Sequence, residues 1–163
     1  MALDTTIGGT DADSYGTLAA YETYAAGNGW TLAETDEANE ANLRRAAQGM
    51  DRKSRFLGIQ QYQFQARAWP RLVNDLVRDW PINPDTIPLD VIHAQFEWAY
   101  ILQGGVDPLA TITSGTTSEM IKVGPITIDE ETLPTAPPRL IAVDGLLRPY
   151  LKSGAGQIAL VRG

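Results

Sequence analysis

One segment, Pro88 to Gln103, constrains the fold more than any other part of the sequence. Its apolar side chains repeat at three- and four-residue spacing on two neighbouring stripes of a helix. One stripe holds Val91, Gln95, Trp98 and Leu102, and the other holds Ile92, Phe96 and Ala99. A helix with so broad an apolar face has to be covered by other elements. We therefore predict a helix that begins at Pro88, stops at Gly104-Gly105 and forms the centre of the core.

The same spacing predicts three further helices. The first spans 17–26, is capped by Ser14 or Thr17, and ends at the glycines before Trp30, which packs back onto it. Its buried face comprises Leu18, Tyr21, Tyr24 and Ala25. The second begins with Asp36 as its N-cap and buries Leu43, Ala46, Ala47 and Met50. The last spans about 139–151, and its inner face is either Ile141, Leu147 and Tyr150 or Val143, Leu146 and Tyr150.

Between the helices the apolar periodicity changes or fails. Residues 60–86 contain Trp69-Pro70 and further prolines, which predicts irregular structure. Residues 118–130 alternate around Gly124-Pro125, which predicts a β-hairpin. The fold class we predict is mainly α: a small bundle of about four helices with a β-hairpin and an extended C-terminal arm. Residues 1–152 form one domain in this prediction, and a flexible arm follows at 153–163.

Composition narrows the classes of function. There is no cysteine, which excludes disulfides, thiolate metal sites and cysteine nucleophiles. The one histidine, His93, lies in the central helix, where a contact with Asp90 or Glu97 is expected rather than catalysis. The acidic residues lack the spacing of a calcium loop, and the glycine pairs lack that of a phosphate loop. We expect no enzyme activity, no cofactor and no metal. We also expect no signal peptide and no membrane span, because no apolar run approaches the required ~20 residues.

Charge is segregated along the second predicted helix. The acidic residues Glu37 and Glu40 come first, and the basic residues Arg44, Arg45, Arg52 and Arg55 follow. The helix dipole favours this order, and opposite ends could pair between neighbouring subunits. Alternatively, the arginines and the aromatic residues that follow them, Tyr62, Phe64 and Trp69, could hold single-stranded nucleic acid. The formal net charge of −7 argues against general nucleic-acid binding.

A series of short motifs, taken in order, resembles a known family. They are Asp11-Ala-Asp-Ser-Tyr15, Leu43-Arg-Arg-Ala46, Ala68-Trp-Pro-Arg71, Ile87-Pro88, Lys122-Val-Gly-Pro125 and Ala142-Val-Asp-Gly-Leu-Leu-Arg148. Together they span nearly the whole chain. The series resembles the head–tail connector (adaptor, or head-completion) proteins of tailed phages and prophages. Sequences of this kind are also labelled DnaT-like single-stranded-DNA-binding proteins.

The resemblance implies a structural virion protein. Its subunits would form a ring between the portal and the tail, with a dodecamer as the expected ring. The ring would line the channel through which DNA leaves the head. Expected partners are the portal protein, neighbouring copies, tail or tail-terminator proteins, and double-stranded DNA that passes without specific binding. The location would be the virion neck, with assembly in the host cytoplasm. The alternative function is that of a DnaT-like accessory protein that binds single-stranded DNA.

Two segments carry specific expectations within this resemblance. The apolar loop from Leu72 to Pro81 interrupts the family pattern, and we interpret it as a tail-side contact. The C-terminal arm is expected to dock on the portal or on a neighbouring subunit, because a glycine-rich hinge precedes β-favouring apolar residues. The docking residues we predict are Leu147, Tyr150, Ile158, Leu160, Val161 and Arg162.

Overall fold

The computed structural model describes residues 2–74, 76–77, 79–105 and 140–152, and the backbone of 119–123 and 126–130. The chain divides into two compact units, Met1–Val106 with Leu140–Gly163 and Asp107–Arg139. In the first unit the helices are α1 Leu18–Asn28, α2 Asp36–Lys53, α3 Leu89–Gln103 and α4 Ile141–Leu147, followed by a 3₁₀ turn, Arg148–Tyr150. The mainly helical prediction is confirmed, whereas the division into one domain and an arm stays a prediction.

Helices α1 and α2 begin where local chemistry satisfies their first amide groups. The Thr17 hydroxyl accepts a hydrogen bond from the Ala20 amide, as predicted. At α2 the N-cap is Thr35, which is extended and accepts from the Ala38 amide. The prediction of Asp36 as N-cap is therefore wrong by one residue, because Asp36 already has a place in the first turn. There its charge suits the positive end of the helix dipole.

Helix α3 is the centre of the first unit, as its sequence predicts. It packs against α2 on one side and α4 on another. Both predicted stripes are buried except at Ile92, which is half-buried. The predicted stripe of α2 is also buried, from Leu43 to Met50. Trp30 stacks on Tyr100 of α3 at a ring-centroid distance of 4.2 Å and contacts Tyr24 of α1 edge-on, so the prediction that it packs back is confirmed.

The last helix is shorter than predicted. Pro149 has no amide hydrogen to continue the α-helical pattern, and the chain tightens into the 3₁₀ turn. The buried face takes members of both predicted sets: Val143, Leu147 and Tyr150 are buried, and Leu146 is half-buried. Ile141 is 80% exposed, so its inward placement is wrong. Leu140, just before the helix, is buried instead.

Irregular structure dominates residues 60–86 as predicted, with one short ribbon. Its strands are β1 Ile59–Gln60 and β2 Arg71–Leu72, which pair antiparallel. Trp69, beside β2, is 1% exposed and contacts the rings of Phe56 and Tyr150 edge-on. A segment without periodicity thus supplies one of the largest side chains of the core.

The predicted β-hairpin is confirmed in the second unit. Strands β3 Glu119–Val123 and β4 Ile126–Glu130 pair antiparallel, with Ile121 opposite Ile128 and Val123 opposite Ile126. The connection between the strands is Gly124-Pro125, the dipeptide on which the prediction rested.

Candidate interaction surface

A buried polar network fixes the segment that precedes α1. The side chain of Gln95 is fully buried, and its Oε1 accepts hydrogen bonds from the amides of Tyr15 and Gly16 at 3.1 and 3.0 Å. Its Nε2 donates to Ser14 Oγ and to the carbonyl of Leu43 at 2.7 and 2.9 Å. One amide group therefore ties the N-terminal segment, α2 and α3 together. The motif around Ser14 has a structural role here.

The predicted charge contacts of α2 divide into two groups. Arg44 is used within the chain: its Nε lies 2.6 Å from Asp13 Oδ2 and its Nη2 lies 3.3 Å from Glu40 Oε2. Hydrogen bonding to the Asp13 carboxylate raises the pKa of Arg44 above its usual value. Glu40 and Arg44 thus pair within the chain, and their predicted contacts between subunits stay a prediction. The remaining predicted contacts are exposed: Glu37, Arg45, Arg52 and Arg55.

A second polar cluster joins the end of α2 to the loop before Trp69. The Tyr15 hydroxyl donates to Asp51 Oδ1, and Arg67 Nη1 lies 3.3 Å from Asp51 Oδ2. Burial raises the pKa of the Asp51 carboxyl, and burial followed by the charge of Asp51 raises that of Tyr15 well above its usual range. The Ala68 amide completes the cluster by donating to the Tyr15 hydroxyl at 3.1 Å. Tyr15 is 4% exposed, whereas Asp51 and Arg67 are half-buried, so the cluster is a structural joint at the edge of the core.

The first candidate surface is an apolar groove of about 330 Å³. It is lined by Val77, Trp80, Pro81, Ile82, Asn83, Thr86, Pro88, Leu89 and Tyr150. A tight turn presents Trp80: Val77 and Trp80 each donate an amide hydrogen bond to the other's carbonyl, and Asp79 has a positive φ of 67°. Trp80 is 75% exposed and Leu89 is 63% exposed. We call this feature the Trp80 groove. Trp80 belongs to the loop from Leu72 to Pro81, which the sequence predicts as a tail-side contact, and that role stays a prediction. Nothing in the sequence indicated the groove, because Pro88, Leu89 and Tyr150 come from other segments.

The second candidate surface is the β1–β2 ribbon and the loop that connects its strands. Ile59 and Leu72 are directly paired, so their side chains lie on the same face, and both are exposed. In the connecting loop Phe64 is 72% exposed, and Tyr62 is partly exposed with its hydroxyl donating to Asp85. Trp69, the third aromatic residue proposed for nucleic-acid stacking, lies in the core and cannot stack on a base. The prediction is corrected at that position.

Two of the predicted docking residues belong to the core. Leu147 and Tyr150 are 1% and 8% exposed, and the Tyr150 hydroxyl donates to Asp90 Oδ2 at 3.1 Å. The prediction that they dock on a partner is therefore corrected, although the ring of Tyr150 also forms part of the groove wall. Ile158, Leu160, Val161 and Arg162 lie outside the described residues.

The histidine has an aromatic environment rather than the expected polar one. The ring of His93 lies against Tyr24 at a centroid distance of 4.5 Å. Glu97 accepts a hydrogen bond from the Tyr24 hydroxyl, and Asp90 accepts one from Tyr150. Among the residues that the structure describes, no group of His, Asp and Glu side chains could hold a metal ion. In that same part of the chain, no helix is both long and apolar enough to cross a bilayer.

These features define a class: a small, mainly helical protein with buried polar networks and exposed apolar side chains beside a groove. The whole chain, residues 1–163, matches the family model described as "Putative DnaT-like ssDNA binding protein". The chain belongs to this family. No curated protein matches the chain, and no solved structure does.

Proposed function

We propose that this chain is a non-catalytic structural subunit that binds other protein chains. The observation that carries the proposal is the Trp80 groove. A tryptophan that is 75% exposed beside an exposed leucine is unusual on a subunit that works alone, and tryptophan is a frequent anchor of protein interfaces. The exposed pair Ile59 and Leu72 provides a second apolar contact on the ribbon.

The particular role we propose is that of a head-to-tail connector. The series of motifs from Asp11 to Arg148 supports it, and so does the acidity of the chain, whose net charge is −7. An acidic channel wall repels duplex DNA and lets it slide without sticking. In this proposal the partners are a portal protein, tail proteins and neighbouring copies in a ring. The site of action is the virion neck, after assembly in the host cytoplasm.

The test of this role is assembly with a portal protein encoded beside this chain. We expect a closed ring of identical head-to-tail contacts on the portal, visible by electron microscopy and by native mass measurement. The matched pair of variants is Trp80→Ala and Ile141→Ala, since both residues are exposed apolar side chains and only Trp80 lines the groove. A stable two-fold dimer that ignores the portal would contradict the connector role.

The second candidate function is single-stranded-DNA binding, and the family match over the whole chain favours it more directly than it favours a connector. The residues suited to it are the exposed aromatic side chains Tyr62 and Phe64 and the basic residues near the start of the ribbon. Arg55 precedes β1 by four positions, and its carbonyl accepts a hydrogen bond from the Lys152 amide. Arg52 is exposed in the last turn of α2. Stacking on such rings contributes about 1–3 kcal/mol per base.

A titration with a labelled oligothymidylate separates the two functions. If the chain binds single strands, affinity falls steeply with salt. It also falls in Phe64→Ser and in Arg52→Ala/Arg55→Ala, but not in Ile141→Ser, a control residue that is 80% exposed on α4. The connector proposal predicts weak binding that none of these substitutions alters. Tight, salt-sensitive binding would replace the connector role with the second candidate.

A further inference from the structure

We propose that the Trp80 groove receives the C-terminal apolar segment of a second copy, with Ile158 and Leu160 as the side chains that enter it. This inference rests on the proposed role as an assembling subunit and names the contact that would link neighbouring copies. Nothing in the family match assigns a function to the groove or to that segment.

The size of the groove suits a short segment. Its volume of about 330 Å³ is near the lower end of the ~300–1,000 Å³ of small-molecule sites, so it accommodates a few side chains rather than a folded element. Most of its walls are apolar, and Asn83 and Thr86 are the polar exceptions among the lining residues. Such walls favour aliphatic side chains over charged or polar ones, because a polar group without a partner loses its water at a cost.

The sequence that follows the described part of the chain has the matching chemistry. Ile158-Ala-Leu-Val161 is an apolar run that contains no charge, and Arg162 follows it. Two acidic residues are sequence neighbours of the groove lining: Asp79 precedes Trp80, and Asp85, which accepts a hydrogen bond from the Tyr62 hydroxyl, lies between Asn83 and Thr86. In the proposed contact an aliphatic pair fills the groove and the guanidinium of Arg162 lies near these carboxylates, which combines burial with charge pairing.

The last described residues of the chain are held beside the residues that follow α2. Leu151 bridges Phe56 in antiparallel fashion, with hydrogen bonds from the Leu57 amide to the Tyr150 carbonyl and from the Lys152 amide to the Arg55 carbonyl, both 2.8 Å. From Tyr150 onward the chain therefore runs back toward the end of α2. Of these residues only Tyr150 lines the groove, whose other lining residues lie between positions 77 and 89. We therefore assign the groove to the segment of a second copy. A segment donated to the next copy gives a head-to-tail contact that can close into a ring.

The first experiment measures binding of the segment directly. A fluorescent peptide with the sequence of residues 153–163 is titrated with the full-length chain carrying Ile158→Asp and Leu160→Asp, so that its own segment does not compete. We expect saturable anisotropy that weakens roughly tenfold or more when Trp80→Ala is added, as for an interface anchor. Adding Ile141→Ala instead should leave the affinity unchanged. A peptide carrying the two aspartates should not bind. Equal binding by the Trp80→Ala and Ile141→Ala chains would overturn the proposal.

The second experiment identifies the copy that donates the segment. Chains with Trp80→Ala keep the segment, and chains with Ile158→Asp and Leu160→Asp keep the groove. Each alone should stay monomeric in sedimentation velocity, whereas a mixture should form one-to-one pairs and nothing longer. Monomers alone in the mixture, with the peptide still binding, would contradict a second copy as the donor.

The outcomes also separate this inference from the connector role. Rings that form on a portal with both variants would overturn the groove contact and leave the connector role standing. Peptide binding with no ring on any portal would support the groove contact and contradict the connector role.

Discussion

The side-chain oxygen of Gln95 lies 3.1 Å from the backbone amide of Tyr15, a residue 80 positions earlier in the chain. The same side chain reaches Gly16, Ser14 and the Leu43 carbonyl, and it is fully buried. Because the segment at 14–16 has no regular secondary structure of its own, this amide takes over part of the pairing that a helix or a strand would provide.

The first prediction concerns this amide. Gln95→Leu keeps a similar size but leaves its four hydrogen-bond partners without it. We expect the free energy of unfolding to fall by about 2–4 kcal/mol, because buried polar groups are left unpaired. Gln48→Leu, at an exposed position of α2, is the matched control and should change stability by less than about 0.5 kcal/mol. Chemical unfolding followed by circular dichroism measures both, and equal effects would contradict the role given to Gln95.

The second prediction contrasts two tryptophans. Trp69 is 1% exposed and Trp80 is 75% exposed. Trp69→Ala removes a core side chain that contacts Phe56 and Tyr150, and should cost about 3–5 kcal/mol. Trp80→Ala should lower the free energy of unfolding by less than about 1 kcal/mol, because most of this side chain is already in contact with water in the folded state. Thermal and urea unfolding of the two variants provide the comparison. A large loss of stability in Trp80→Ala would mean that Trp80 serves the fold rather than a partner.

The third prediction concerns alkaline pH. Burial raises the pKa of Tyr21 from its usual 10.0 to about 12. Above pH 10 the unfolded chain loses this proton while the folded chain keeps it, so stability should fall as pH rises from about 10 to about 12. Tyr21→Phe should flatten this fall. At pH 7 it should be nearly neutral, because no described group is a hydrogen-bond partner of the Tyr21 hydroxyl.

The comparison variant for alkaline pH is Tyr15→Phe. Burial also raises the pKa of Tyr15, so this change should flatten the alkaline fall as well. Unlike Tyr21→Phe, it removes the hydrogen bonds to Asp51 and from the Ala68 amide, and should cost about 1–3 kcal/mol at pH 7. Urea midpoints between pH 7 and pH 11 test both variants. Parallel pH profiles for the wild type and both variants would show that these hydroxyls do not govern alkaline unfolding.

The fourth prediction uses two glycines with nearly the same backbone angle. Gly29 and Gly58 have φ of 69° and 68°. A Cβ on Gly29 would meet open space, so Gly29→Ala should cost only the strain of the left-handed conformation, about 1–2 kcal/mol. A Cβ on Gly58 would lie 2.1 Å from the Leu72 carbonyl oxygen. Gly58→Ala should therefore cost clearly more and disturb the pairing of β1 with β2. Chemical unfolding measures both variants. Equal losses of unfolding free energy would mean that β1 and β2 move apart easily enough to accept the added methyl group.

The sequence alone determined which segments form the helices and which helix lies at the centre. The apolar stripes of α3, the stripe from Leu43 to Met50 and the alternation around Gly124-Pro125 are local patterns, and the backbone period converts each of them into a helix or a strand. Caps were predicted to within a residue, as at Thr17 and Thr35, because they depend on hydrogen bonds between near neighbours.

Only the tertiary structure decided which side chains are buried or already paired. Arg44 binds Asp13 from 31 positions away, Tyr150 reaches Asp90, and Trp69 enters the core from a segment without periodicity, while Trp80 stays exposed. Each of these outcomes depends on contacts between residues distant in the chain, and no local period encodes them. The sequence pointed to the loop from Leu72 to Pro81 as a contact. The groove itself could not be predicted from sequence pattern, because long-range contacts decide which residues line it and stay exposed.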